Sequence, residues 1–393
     1  MDATLHSRTG KPVRFPPARL AVSAMFLANG FIVGSWAPKI PEFARRLELS
    51  ESALGLMIVA FGVGSLIAMP LVGVLIARTG SRPSLRLLAA LLVLALPAVT
   101  LAPNVALAVL AVAAFGALVG GMDVAMNANA VAVERSLGRA VMSSCHGFWS
   151  LGGLAGAAAG GYAIAAIGVM GHALVASAVA ALLIAIAWPM VLADHSQSKT
   201  EVHRIGFPTS LLPWLIGLMA LCSMIPEGAV LDWGALYLRK ELGGSVVSSG
   251  FAYGAFSAAM AVTRFAGDTI RNRLGAVATV RLCAGLALTG MLVAGLAPNS
   301  AIAIAGFALA GIGISNLVPV AFSAAGNLPG LAPGIGISLV TFMGYSGILL
   351  APSAIGFIAE HTGLAPVFAV LPALFVVVLA LSGLARHADG NSA

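Results

Sequence analysis

The sequence predicts an all-α polytopic membrane protein, with twelve transmembrane helices arranged as two pseudo-symmetric bundles of six. Three observations predict it. Of 393 residues, 60% are apolar and 9% charged, and the mean hydropathy of +1.01 leaves too little charge to cover a soluble protein of this size. Apolar runs of about 20 residues, the length that crosses a hydrocarbon core, recur along the whole chain. One longer polar stretch, "ADHSQSKTEVHRIGFPTS", divides these runs six and six.

The spans fall near 18–38, 52–77, 84–102, 105–131, 144–167, 171–192, 210–236, 248–268, 277–297, 301–325, 335–359 and 364–385. Turn chemistry separates them: "RTGSRP", "APN" twice, "GVMGH" and "NLPGLAPG". The expected organisation is a cytoplasmic tail (1–17), a first bundle (18–192), a central cytoplasmic loop (193–209), a second bundle (210–385) and a cytoplasmic tail (386–393). The first residues are polar and basic and lack the apolar core of a signal peptide. With the N-terminus inside, Lys39, Arg45, Arg46, Arg239 and Lys240 face outward, and the other 16 of the 21 basic residues face the cytoplasm. The positive-inside rule therefore places both termini in the cytoplasm, in a cell inner membrane. The net charge of +7 records this orientation and is no nucleic-acid footprint. Three widely spaced cysteines, Cys145, Cys222 and Cys283, support neither a disulfide framework nor a metal site.

The halves echo each other. Asn29-Gly30, Trp36 and Arg45-Arg46 in the first half are matched by Glu227-Gly228, Trp233 and Arg239-Lys240 in the second; "GGMDVAMN" in span four is matched by "GIGISNLV" in span ten. Parallel repeats of this kind are a transporter architecture, with the substrate site at the repeat interface.

The polar residues inside the spans carry the expected chemistry. Asp123, Asn127 and Glu134 share one helical face and Asn129 points elsewhere. A carboxylate in mid-membrane is costly unless paired or wetted, so Asp123 suits a group that takes up and releases a proton; a structural acid hydrogen-bonded to a neighbouring helix is the alternative. Glu227, beside the helix-breaking Pro226, is a second proton-coupling candidate, and His146 a third. Asn29, Asn127 and Asn316 can bind hydroxyls, and Trp36, Trp149 and Trp233 can stack on a ring face, although an interfacial belt also explains the tryptophans. Glu134 is expected to form an ion pair with neighbouring Arg135 or Arg139 at the inner gate. Gly152, Gly156 and Gly160 form a small-xxx-small packing ladder. Lys39 and Arg264 are expected near span ends, leaving no cation at the midplane, which disfavours an anionic substrate.

The loop after span two, with Gly73, Arg78, Gly80 and Arg82, resembles the signature loop of the major facilitator superfamily, and the twelve spans agree with that resemblance. The family pattern has an acid where this chain has Ala77. The second-half echo retains one, Asp268, flanked by Arg264, Arg271 and Arg273. "MDVAMNANAVAVER" followed by "MSSCHGFWSLGGLAGA" is similar to the MosC/YbjJ-like branch, distantly akin to fucose-permease-type carriers. The resemblance implies a gating role for the loop residues together with Glu134, Arg264 and Asp268, and a sugar or cyclitol as solute. The reading is then a proton-coupled secondary transporter of a small polar, neutral or cationic solute, monomeric, in a lipid bilayer, with no cofactor and no nucleic-acid partner. No GxxxxGK[ST] loop for ATP is present. Alternatives are a proton-driven exporter of drugs or lipid-like molecules on the same fold, an intramembrane serine protease using Ser346 of a GxSG stretch, and a non-transporting sensor.

Overall fold

The computed structural model describes residues 16–49, 51–194, 208–244 and 246–389. The sequence expectations for most of the N-terminal tail and the central loop, and for the last four residues, lie outside the described residues. Among those described, ten helical stretches are long and apolar enough to cross a membrane. One of them, Met142–Met190, has 49 residues, more than twice a crossing. It breaks at Gly168, whose φ of 74° is non-helical. A further helix of 29 residues, Val246–Leu274, has the length to cross, and its polar face lowers its hydropathy. The described residues thus form twelve spans: α1 (Pro17–Trp36), α2 (Glu51–Thr79), α3 (Ser81–Leu101), α4 (Val105–Leu137), α5 (142–167), α6 (169–187), α7 (Leu212–Lys240), α8 (Val246–Leu274), α9 (Ala276–Gly295), α10 (Ser300–Gly326), α11 (Pro333–Thr362) and α12 (Leu364–Asp389).

The turns show why the chain folds as a repeat. Gly80 (φ 83°) and Gly275 (φ 78°) open α3 and α9; Gly168 and Gly363 (φ 85°) open α6 and α12. These conformations strain any residue with a Cβ. Asn104 and Asn299 cap α4 and α10, accepting from Leu107 N and Ile302 N at 3.0 and 3.1 Å. Asp194 and Asp389 receive the first N–H of α3 and α9, from Ser81 and Ala276, each at 2.8 Å. Every pair keeps one offset of 195 residues (275 − 80). The two halves are one backbone frame written twice.

Small residues set the packing inside each half. A Cβ on Gly30 or Gly152 would strike the facing backbone of Trp149 or Leu27, so α1 and α5 lie in backbone contact. Gly116 meets the Phe61 carbonyl and Gly311 the Phe256 carbonyl, again 195 residues apart (311 − 116). Between halves, α2 packs on α11, with Gly73 against Gly334 and Ser338, and α5 packs on α8, with Gly147 against Phe265. Large apolar side chains such as Leu71, Leu154, Val262 and Phe357 project from the outside of the bundle, as a lipid-facing surface requires. The molecule is a multi-pass membrane protein.

Replacing Gly30 by Leu is expected to destabilise by about 1–3 kcal/mol through overpacking. A lower melting temperature of the detergent-solubilised protein would report it. Gly161→Leu, at a position open on that side, should melt like the wild type.

Candidate functional site

Two polar groupings lie on the seam between the halves: one at the terminal end of the bundle, which holds Pro17 and Asp389, the other at mid-depth.

The first is built around the start of α5. The first N–H groups of a helix have no intrahelical acceptor. Here carboxylates from both halves supply one. Glu134, on α4, accepts from Val141 N (2.8 Å) and Met142 N (3.0 Å). Asp268, on α8, accepts from Ser143 N (3.0 Å) and Ser144 N (3.3 Å). Each carboxylate also meets an arginine of the opposite half: Glu134 with Arg271 at 3.0 Å, and Asp268 with Arg19 at 3.3 Å. Ser323 of α10 donates to Glu134 at 2.6 Å, and Arg19 also donates to Ser144. All four charged residues are buried. The result is a reciprocal lock, with an acid and a base from each side.

This differs from the sequence expectation at two points. Glu134 pairs across the seam with Arg271, not with its chain neighbours Arg135 and Arg139; Arg135 donates to Asn327 Oδ1 (2.6 Å) and to the Gly326 carbonyl. Arg19, read as a membrane-flanking charge, lies inside the lock. Ser143-Ser144 at a helix start was the available signal for the capping; nothing local in the sequence pointed Arg19 at Asp268.

The signature-loop residues divide. Gly80 supplies the left-handed turn, and the Arg82 N–H donates to Asp194 at 3.2 Å. Gly73 lies in the α2–α11 contact, and Arg78 is exposed.

The second grouping is at mid-depth. Asn127 Nδ2 donates to the Asp123 carbonyl (2.8 Å), and His146 Nε2 donates to Asn127 Oδ1 (3.1 Å). This joins α4 to α5. Asp123 is 5% exposed, and its Oδ2 has no hydrogen-bond partner. The His146 ring meets Phe26 edge-on and stacks on Phe322 of the other half, centroids 5.6 Å apart at 20°. From the second half come Glu227 and Arg264, whose charges approach to 3.9 Å. Arg264 also reaches across to Ser150 Oγ on α5 at 2.8 Å. Tyr345 on α11 lies in the field of both Asp123 and Glu227, a position that sequence reasoning missed because a single tyrosine on an apolar span carries no pattern.

Arg264 corrects the expectation of a midplane without a cation. It lies ten residues from Leu274, the end of α8, which is about 15 Å of helical rise, and it is buried. Glu227, half-buried, is therefore paired with a buried arginine.

The amides and indoles are distributed differently from expectation. Trp149 Nε1 donates to Asn29 Oδ1 at 2.9 Å and Asn29 is fully buried, so these two groups use each other. Asn316 is turned toward Cys283 on α9 and packs beneath Gly267. Trp36 belongs to an aromatic cluster with Phe43 and Phe115, and Trp233 packs against Gly356. Asn129, on its other face, donates to Ser81 Oγ (2.8 Å) and the Leu192 carbonyl (3.0 Å). Of the predicted solute-binding residues, Asn127 is the one hydrogen-bonded into the Asp123–His146 grouping. The Ser346 hydroxyl donates to the Phe342 carbonyl one turn back (2.7 Å).

The sequence model of the Major Facilitator Superfamily matches residues 20–352. The chain is 37% identical over 361 residues to an uncharacterized MFS-type transporter of Yersinia pestis, covering 91% of this chain and 92% of that one. It is 33% identical over 395 residues to the membrane protein MosC of Rhizobium meliloti, covering 98% and 94%. Among solved structures it resembles the transporter FucP in its outward conformation, with a TM-score of 0.78, 17% identity and coverage of 94% and 98%. It also resembles a variant of the E. coli fucose:proton symporter FucP, with a TM-score of 0.77, 18% identity and the same coverage.

Removing one partner of a buried charge pair typically costs about 3–5 kcal/mol. Asp268→Asn should therefore shift the seam toward an open terminal end. Cys145, buried beside the lock, is the reporter: in a Cys222→Ser, Cys283→Ser background its maleimide labelling rate should rise at least about tenfold, the equivalent of 1.4 kcal/mol. An unchanged rate would show that the lock does not set this equilibrium.

Proposed function

The chain belongs to the Major Facilitator Superfamily, and on that premise we propose a secondary active transporter that moves a small polar, neutral or cationic solute, a sugar, cyclitol or similar, by proton-coupled alternating access. The observation that carries the reading is the mid-depth grouping: Asp123, with a buried unpartnered carboxyl oxygen, beside Asn127 and His146 on one half, facing Glu227 and Arg264 on the other. Such groups are expensive in a membrane and mark solute and proton pathways by default. The charge count supports the solute class. Two carboxyls stand against one guanidinium, and Glu227 already sits 3.9 Å from that guanidinium, so the site offers no spare cation to an anion.

In this mechanism the two six-helix halves, 18–192 and 210–385, rock about the seam. The terminal end is taken as cytoplasmic, from the distribution of basic residues, in a cell inner membrane. The locked state described above then faces outward. Asp123 takes a proton from the outer side, which removes the penalty of a bare carboxylate when the cavity closes and dries. Glu227 and Arg264 exchange part of their pairing for solute hydroxyls, and Asn127, held by His146, orients them. Opening of the terminal end wets Asp123, and the proton leaves to the cytoplasm with the solute. Two solved structures with this fold, a fucose:proton symporter and a proton:xylose symporter, agree with a proton-driven sugar carrier. The monomer holds both halves of the site.

Asp123→Asn should abolish pH-gradient-driven accumulation in proteoliposomes while leaving solute counterflow within about threefold of wild type. The solute is first chosen from sugars, cyclitols, amines and drugs by the rise it gives in melting temperature. Normal accumulation by the variant would remove Asp123 from coupling; loss of both activities would make it a solute-binding residue instead.

A further inference from the structure

A cavity lies at the end of the first half opposite to Pro17. It has a volume of about 310 Å³, and its wall includes Trp36, Lys39, Arg45, Arg46, Val169 and Met170. Lys39 is 1% exposed, and its ammonium donates to the Val169 carbonyl at 2.8 Å, which uses one of three protons. Arg46 donates to the Val99 and Thr100 carbonyls. The acid on the wall, Glu42, is taken by Arg45 at 2.6 Å. Lys39 and Arg46 thus share a cavity, lie in each other's field, and have no carboxylate partner among the described residues. Arg46 is exposed, but the Lys39 ammonium is buried, and a buried charge with no counter-charge is costly.

The internal repeat shows what is missing. In the second half α12 starts after Gly363, and the Glu241 carboxylate receives its first N–H groups, from Leu364 and from Ala365 (2.8 Å). In the first half α6 starts in the same way after Gly168. The position of Glu241 is there held by Arg46, at the common offset of 195 (241 − 46), one residue on from the match of Arg45-Arg46 to Arg239-Lys240 read from the sequence. A helix start that a built-in carboxylate caps in one half therefore opens, in the other, onto a cavity with two cations.

We propose that this cavity is an oxyanion site that takes a phosphate group at the start of α6, between the Lys39 ammonium and the Arg46 guanidinium. The group does for the first half what the Glu241 carboxylate does for the second. A helix N-terminus favours an anion, and the ammonium and guanidinium neutralise it. Bound phosphate ties the connection between α1 and α2 to α6 and stiffens that end of the half. The same chemistry is offered by a phospholipid headgroup and by free inorganic phosphate.

The test uses the full-length protein, delipidated in a sugar-based detergent without phosphate. Its melting temperature is followed against inorganic phosphate and against dihexanoyl phosphatidylglycerol, each compared with chloride of equal ionic strength. A rise of about 2 °C or more with either ligand is expected, and which one acts identifies the source. Lys39→Gln and Arg46→Glu should each abolish the response, the second because it writes the carboxylate of the other half into the first. Arg45→Gln should retain it. No rise with either ligand overturns the proposal even if the variants fail to fold, and so does a rise that survives in Lys39→Gln.

Discussion

The start of α5 is the point on which the seam depends. A helix that begins inside the protein has N–H groups that water cannot reach, and leaving them unmet is costly. In this chain they are met half from α4 and half from α8, by Glu134 and Asp268. The carboxylates cannot stand there alone, so each takes an arginine, and each arginine comes from the opposite side. One helix terminus therefore ties α1, α4, α5, α8 and α10 together at that end. The need is local, but the solution spans the whole molecule.

The second half extends this network. Asp389 receives the N–H of Ala276 and also approaches Arg271 Nε at 3.3 Å, while Arg271 donates to the Ala388 carbonyl. The segment that closes α12 therefore braces the arginine that holds Glu134. Its counterpart Asp194 caps α3 in the same way, but the residue matching Arg271 at the 195 offset is Ile76. The repeat conserves the helix cap and confines the charge network to one side. The same holds at Gly73, which matches Asp268 (268 − 195), so Asp268 is not the counterpart of Ala77, whose match is Asn272 (77 + 195): the α2–α11 contact is a glycine packing and the α5–α8 contact a charged one.

The fold was legible because it is written in strong, local signals: apolar length, turn residues and basic loops. Span boundaries follow from these to within a few residues, including the α5–α6 break at Gly168 inside one continuous helical stretch. The site was legible in part. Asp123, Asn127 and His146 were readable as an anomaly of polarity on neighbouring spans, and they do come together. Partner choice was not readable. That Glu134 reaches Arg271, that Asn29 is used by Trp149, and that Arg264 lies deep against Glu227 all depend on which helices face each other and at what depth. Hydropathy reports length across the membrane and says nothing of rotation. Arg264 shows the limit most clearly: a polar face lowered the apparent extent of α8, so a mid-depth cation looked like a terminal one.

The two kinds of seam contact divide the work of any rocking motion. Glycine packing at α2–α11 loses dispersion gradually as surfaces slide, because each atom pair contributes only about 0.1–0.2 kcal/mol. The charged contact at α5 does not. It combines helix-end hydrogen bonds with two crossed ion pairs, so a partial separation leaves buried charges without either partner or water, and the cost rises steeply before hydration can recover it. A seam of this construction favours two states, closed with the charges paired and open with them wetted, and disfavours the positions between. In the proposed alternating-access cycle, that bistability is what keeps the two ends from being open at once, and it arises from where the acids and arginines stand on either side of one helix terminus.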